Sequence, residues 1–195
     1  MRMRLTALFL ACLCVTFASG CAVAHDTEEL KSIFDQGVAA YDAGKYEDAF
    51  KLFQSIDDED VAAMRNEGLM LRKGLGTPKD PKAAEDMLQR AAEAGLPTAQ
   101  FDLAEMLLDG EAGDPDPKAA LPWLTQAAAS HHAIAEYRLG ILYEEGTVVD
   151  KDVRAARTLY ADAAAAGVPG AKERLAALGG PIPGAEPSES PSTKP

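Results

Sequence analysis

Small and apolar side chains recur in the middle of the chain at an interval of 36 residues. Such a fixed interval across three or more copies is typical of repeat architectures, in which each copy is one supersecondary unit. The columns that keep the interval are alanine at Ala63, Ala99, Ala135 and Ala171, glycine at Gly74, Gly110 and Gly146, aspartate at Asp80, Asp116 and Asp152, alanine at Ala83, Ala119 and Ala155, and the pairs Ala91-Ala92, Ala127-Ala128 and Ala163-Ala164.

Each copy predicts two helices separated by a short loop. In the first copy we expect a helix from about Ala63 to Lys73 that ends at Gly74, because glycine adopts the left-handed conformation that closes helices. Asp80 and Pro81 then provide an N-cap and a first turn for a second helix, which continues to about Ala94. The alanine columns, including Ala119, are expected where the two helices approach closely.

Larger side chains keep the same phase and predict the core. Trp123 is aligned with Met87 and Leu159, which favours packing in the core over a role as a stacking platform. Pro122 is predicted to kink its helix or to delay the first turn. Together these features predict an all-α fold, a right-handed solenoid of helical hairpins.

The flanks extend the solenoid. Residues 25–57 carry the pattern of a tetratricopeptide-like helical pair, with helices at about Leu30–Ala43 and Tyr46–Ile56. The acidic run from Asp57 to Asp60 is interpreted as a solvated loop whose last acids favour the start of the next helix, with metal binding as the alternative. A capping helix is expected at Lys172–Leu178, which completes a repeat region at 58–178. Residues 179–195 are rich in proline and serine and predict a disordered tail.

The repeat pattern resembles the Sel-one-like repeat, a relative of the tetratricopeptide repeat, over residues 60–178. The chain departs from that family at His131, where the other copies have glycine, and at Glu67, where the family prefers leucine. The resemblance implies one tetratricopeptide-like unit, three Sel-one-like repeats and a capping helix. Similar repeat proteins act as scaffolds or regulators in envelope assembly and signalling, so the resemblance also implies a scaffold for protein partners.

The amino terminus predicts an export signal. Arg2 and Arg4 precede an apolar run from Leu5 to Ala18, which is too short to span a bilayer comfortably. Two cleavage sites compete. One precedes Cys21 and would give a lipoprotein with residues 1–20 removed; the other follows residues 22–24 and would give a soluble mature chain after removal of residues 1–24. We expect a periplasmic location, or a membrane anchor facing the periplasm if Cys21 is lipidated, and no transmembrane helix in the mature chain.

Composition narrows the classes of partner. The chain has 19 basic and 31 acidic residues, and loss of Arg2 and Arg4 with the signal leaves 17 basic residues and a net charge of -14. This charge argues against nucleic acid as a partner. The three cysteines all lie at or before position 21, so the mature chain offers no pair for a disulfide, as suits an oxidising compartment.

The sequence offers little for catalysis. Nucleophile-elbow, phosphate-loop and dinucleotide motifs are missing from the printed sequence, and adjacent His131 and His132 would make a poor chelating pair. We therefore predict no enzyme activity, no catalytic residues, no metal and no cofactor.

A binding surface is the stronger candidate. In the tetratricopeptide-like families that the chain resembles, the first helix of each pair lines a concave groove. Carrying those positions over selects three adjacent columns, in which aromatics and arginines are typical interface anchors. The residues that this predicts for partner binding are Phe34, Arg65, Phe101 and Tyr137, then Leu69, Glu105 and Ile141 beside Val38, then Tyr41, Arg72 and Glu144 beside Leu108.

Two functions from different classes follow. The first is a cell-envelope adaptor or regulator that binds a protein or peptide. The alternative is an envelope hydrolase or small-ligand binder related to cell-wall metabolism. An open apolar channel would favour the first, whereas a deep polar pocket with converging carboxylates or histidines would favour the second. Arg65 and Arg72 are predicted to bind a partner's acids and to matter little for folding, and Phe101 and Tyr137 could instead simply pack between repeats.

Overall fold

The computed structural model describes residues 26–180, so the predicted signal segment, Cys21 and residues 181–195 of the predicted tail lie outside the described residues. Within this range the chain forms nine helices and no strand, which confirms the all-α helical-hairpin solenoid. The helices are α1 (Thr27–Asp42), α2 (Tyr46–Gln54), α3 (Val61–Lys73), α4 (Pro81–Glu93), α5 (Pro97–Asp109), α6 (Pro117–Ala129), α7 (Ala133–Glu145), α8 (Val153–Ala165) and α9 (Ala171–Ala177).

The helices pair in chain order. α1 packs on α2, α3 on α4, α5 on α6 and α7 on α8, and the second helix of each pair then packs on the first helix of the next. The short helix α9 packs on α8 at the end of the described stack. The first helices, α1, α3, α5 and α7, therefore follow one another along one side of the solenoid.

Side chains and glycines set the helix ends. Asp80 accepts a hydrogen bond from the Ala83 amide at 3.1 Å, and Asp116 accepts one from Ala119 at 2.9 Å. At the carboxyl end of α3, Gly74 has the left-handed conformation with φ of 70°. These caps confirm the aspartate and glycine columns as the signals that start and stop the helices.

The two helices of a pair approach most closely where the first helix has a residue without a bulky side chain. A Cβ at Gly140 would lie 2.8 Å from Cε1 of Tyr160, and one at Gly37 would lie 2.7 Å from Cε1 of Phe53. Tyr160 is 0% exposed and Phe53 is 2% exposed. A large side chain of the second helix thus fills the space that the small residue leaves.

The close-contact column on the second helices is one residue away from the predicted one. Ala120 is fully buried, whereas Ala119 is only half-buried, so the placement of Ala119 in the close contact was wrong. Adjacent helix positions are about 100° apart around the axis, and only one of the two alanines can face α5. The fully buried column comprises Ala84, Ala120 and Ala156.

The structure bears on three local expectations, those for Pro122, Trp123 and the Gly179–Gly180 pair. α6 begins at Pro117, in register with α4 and α8, and continues through Pro122, so this proline does not delay the first turn. Trp123 is half-buried and packs against two neighbouring core clusters, as expected for a core residue. Gly179 and Gly180, predicted as the start of the disordered tail, close α9, and the Gly180 carbonyl accepts a hydrogen bond from Arg157 at 2.7 Å.

A leucine at position 120 should therefore destabilise the solenoid more than a leucine at position 119. Ala120→Leu would overpack the contact of α6, and we expect the free energy of unfolding to fall by about 1–3 kcal/mol. Ala119→Leu is the matched control and should cost less than half as much, because its side chain is half-buried. Denaturant unfolding of the two variants measures the difference, and equal losses would show that the column is misassigned.

Candidate partner-binding face

The ten residues predicted for partner binding all lie on first helices and are half-buried, together with the more exposed Val38. The side of the solenoid formed by α1, α3, α5 and α7 is called the inner face below. The ten side chains predicted for binding are neither fully exposed to solvent nor fully buried. Among the ten residues, the aromatic ones pack on other rings and the charged ones form ion pairs with a neighbouring repeat.

Each aromatic residue of the inner face packs on another ring. Phe34 lies 5.7 Å from Phe53 between ring centroids, and Tyr41 meets Tyr46 edge-on at 5.2 Å. Phe101 stacks on His132 at 4.8 Å. Tyr137 packs on Tyr160 with centroids 5.6 Å apart. Each of these aromatics thus packs within the solenoid and keeps an accessible surface, and its role in partner binding stays a prediction.

Arginine–carboxylate pairs connect the first helix of one repeat to the next repeat. Nε of Arg65 on α3 lies 2.6 Å from Oδ2 of Asp102 on α5. Arg72 binds both carboxylate oxygens of Glu111 just after α5. The Glu111 pKa is held below its usual value by the Arg72 guanidinium. The two arginines are therefore not unpaired basic groups, and removing both should loosen the contact between repeats, contrary to the expectation from sequence.

The same device continues along the stack. Glu105 on α5 pairs with Arg138 on α7. The Glu105 pKa is nevertheless raised, because burial of the carboxylate outweighs the attraction of Arg138. Glu144 accepts from the Tyr160 hydroxyl at 2.6 Å and from Arg174 at 2.8 Å, and these bonds lower its pKa, the hydroxyl contributing most.

The partners in these pairs were not predicted from the sequence. Asp102, Arg138 and Arg174 occupy one column at the 36-residue interval, where the first copy has Asn66. The available signal was that each of them is opposite in charge to an inner-face residue of the preceding repeat, namely Arg65, Glu105 and Glu144. The printed sequence alone did not show which residue each would contact.

Glu67 is a buried carboxylate between α2 and α3. It is 2% exposed and occupies the column of Leu103 and Leu139. Gln54 donates to one of its oxygens at 3.3 Å. Burial, reinforced by the nearby Asp57 carboxylate, raises the pKa of Glu67 to about 7. Residues of the acidic run itself have defined partners. Asp58 lies 2.7 Å from Arg90, and Asp60 caps α3.

The histidine pair is divided between two structural tasks. His132 is the N-cap of α7, with its Nδ1 accepting a hydrogen bond from the Ala135 amide at 3.3 Å, and burial lowers its pKa. His131 has φ of 57° where Gly95 and Gly167 also have positive φ. Its Nδ1 lies 3.5 Å from the buried Glu136 carboxylate. Across residues 26–180, no three histidine, cysteine, aspartate or glutamate side chains are placed to hold a metal ion.

The inner face has an apolar pocket between α1 and α3. Its volume is about 240 Å³, and its lining residues are Val38, Tyr41, Phe53, Asn66, Leu69, Met70 and Lys73. Small-molecule sites are usually larger, about 300–1,000 Å³. The pocket therefore suits a single side chain better than a metabolite.

Paired helices stacked in this way define the class of helical-hairpin repeat proteins. A family model described as "Sel1 repeat" matches residues 61–96, 97–132 and 133–168, more than half of the chain. The chain therefore belongs to the Sel1 repeat family, whose members are generally scaffolds for protein–protein interaction and are typically non-catalytic.

Two solved structures are similar to this chain. A Sel1 repeat protein from Oxalobacter formigenes is 33% identical with a TM-score of 0.70, over 74% of this chain and 60% of that one. The second is c5321, described as a protective antigen present in uropathogenic Escherichia coli strains displaying an SLR fold. It is 26% identical with a TM-score of 0.70, over 76% of this chain and 33% of that one. The chain thus spans less than two thirds of either relative.

Replacing Glu67 with leucine should remove a pH-dependent loss of stability. The unfolded side chain ionises near its usual pKa of 4.5, whereas the folded one keeps its proton until about pH 7. The folded state binds more protons between these values, so its stability falls as pH rises through that window and then levels off. We expect Glu67→Leu to raise the free energy of unfolding at pH 8 by about 3 kcal/mol and to flatten its pH profile.

Denaturant unfolding at several pH values measures this effect. Glu93→Leu is the control, since Glu93 is an exposed side chain on α4 and its replacement should leave the pH profile unchanged. An unaltered profile in the Glu67 variant would show that its carboxylate does not titrate in this window.

Proposed function

We propose that this protein is an exported adaptor that holds a protein or peptide partner in the cell envelope through the inner face of its solenoid. The observation that carries the proposal is the pocket between α1 and α3, which is open and mainly apolar and is lined by first-helix residues except for Phe53 of α2. An apolar strip edged by charge suits an extended peptide or a partner helix. The remaining residues proposed for binding lie on the first helices from α1 to α7.

The proposal of export rests on the amino-terminal sequence. A basic start, an apolar run and two processing sites precede the first helix, and the mature chain is free of cysteine when cleavage follows position 21. Lipidation of Cys21 would place the protein on the periplasmic face of a membrane, and cleavage after position 24 would release it into the periplasm. In the described part of the chain, no helix is long and apolar enough to cross a membrane.

The alternative, an envelope hydrolase or small-ligand binder, has less support. The pocket is lined by Val38, Tyr41 and Leu69 rather than by converging carboxylates or histidines. Glu67 is packed between α2 and α3, and His132 is occupied in capping α7. We therefore propose a binding role without catalysis, without a cofactor and without nucleic acid as a partner.

Photo-crosslinking in living cells tests both the partner and the face that binds it. A photoreactive amino acid would replace Val38, Lys73 or Leu108 on the inner face, one at a time. We expect covalent adducts with the same envelope protein from these positions. The matched controls are Lys82, Lys118 and Arg154, which are exposed on second helices at the 36-residue interval. Adducts from the controls alone would contradict the proposal.

Mass spectrometry of the mature amino terminus tests the proposed location. We expect either a lipid on Cys21 or a free His25, and a protein recovered from the envelope or periplasm. Recovery of the chain from the cytoplasm with Met1 intact would refute export.

A further inference from the structure

We propose that the pocket between α1 and α3 binds one large apolar side chain of an extended peptide, and that Lys73 binds a carboxylate of a neighbouring residue of that peptide. This inference rests on the proposed function and adds to it the chemistry of the partner. It commits to a peptide in which a large apolar residue and an acidic residue are close in sequence.

The pocket has an apolar floor and walls. Phe53 and Met70 form the floor and are almost fully buried in the core that joins the first two helical pairs. Val38, Tyr41 and Leu69 form the walls, and Val38 is 37% exposed. A side chain that entered the pocket would remove the accessible apolar surface of Val38, Tyr41 and Leu69 from water, which is the main favourable contribution to such binding.

The position of the pocket follows from a difference between repeat junctions. Arg65 and Arg72 tie α3 to the α5 repeat, and Arg138 ties α7 to α5. Between α1 and α3, the described residues form no such ion pair, and these two helices are joined mainly through α2. The gap that arginine–carboxylate pairs cover elsewhere is therefore open here.

The charge at the pocket favours an acidic peptide. Lys73 is exposed at the margin of the pocket and has no ion-pair partner within residues 26–180. Asn66, about two helical turns away on the same helix, adds an amide that can donate hydrogen bonds. In a chain with a strong negative charge, an unpaired cation beside an apolar pocket is complementary to a carboxylate next to an apolar side chain.

The corresponding positions of the other repeats reverse this charge. Lys73 is followed at the 36-residue interval by Asp109 and Glu145, both exposed at the end of a first helix. Acidic residues of a bound peptide would be repelled there and attracted at Lys73. The sign change therefore directs the acidic part of the peptide to Lys73 on α3.

Selection from a random dodecapeptide library on the full mature chain tests the inference. We expect the selected peptides to share a large apolar residue within three positions of Asp or Glu. Their dissociation constants would then be measured by fluorescence anisotropy. Val38→Glu should weaken binding at least about tenfold, because a carboxylate would occupy the apolar mouth. Ile134→Glu is the matched control, since Ile134 is 48% exposed on α7, and should change binding less than twofold.

A second pair of variants tests the charge. Lys73→Glu should weaken the acidic peptides at least about tenfold and restore binding when their acids are replaced by lysine. Lys82→Glu makes the same charge change on α4 and should have no effect. Selected peptides without acidic residues, or equal binding by the Lys73 and Lys82 variants, would overturn the inference. Thermal unfolding confirms that each variant is folded.

Other occupants give distinct results that would also overturn the inference. If residues 181–195 filled the pocket, deleting them would raise peptide affinity; if a second copy did, sedimentation would show a dimer that Val38→Glu abolishes. The proposed function is judged separately by the photo-crosslinks. If Leu108 gave adducts but the Val38 and Lys73 variants bound the selected peptides as tightly as the parent chain, the adaptor function would stand and the partner would bind elsewhere on the inner face.

Discussion

The architecture depends on the close approach of the two helices in each hairpin. A small residue on the first helix faces a large buried residue on the second: Gly37 faces Phe53, Gly68 faces Leu88 and Gly140 faces Tyr160. In the α5–α6 hairpin, Ala104 and Leu124 lie in the same buried cluster. A bulky residue on both sides would separate the helices, whereas small residues on both would leave a cavity.

This constraint determines what remains for the inner face. Since the contact within each hairpin uses one side of the first helix, the adjoining side chains are free to meet the next repeat. Arginine–carboxylate pairs occupy that position from α3 onward, as with Arg65 and Asp102. Between α1 and α3 the adjoining residues are Val38, Tyr41 and Leu69, and an apolar pocket results. The difference between a structural junction and a proposed binding site is therefore a difference in side-chain chemistry.

The sequence predicted those features that local chemistry repeats. Aspartate caps, glycine ends and buried alanines act within one helix or hairpin, so Asp80 and Gly74 were assigned correctly from their spacing. Features that depend on rotation about the helix axis or on contacts between repeats were missed. Ala119 was chosen although Ala120 is buried, and Arg65 was expected to matter little for folding although it pairs with Asp102 of the next repeat.

The inner face was predictable only as a set of positions. Analogy selected the helices that form it, but the exposure of Val38 and the isolation of Lys73 depend on how α1 and α3 are spaced. That spacing arises from the packing of α2 between them. The spacing between α1 and α3 therefore cannot be predicted from the residue pattern of one helix.

A double-mutant cycle at Gly140 and Tyr160 tests the close-approach constraint most directly. Gly140→Ala should lower the free energy of unfolding by about 1–2 kcal/mol in the parent chain, because the new Cβ would lie 2.8 Å from the Tyr160 ring. In a Tyr160→Leu background, which reproduces the Ala104–Leu124 pairing, the same change should be neutral or stabilising, since alanine favours helix over glycine. A coupling energy of about 1–3 kcal/mol is predicted. Additive effects of the two substitutions would contradict the account.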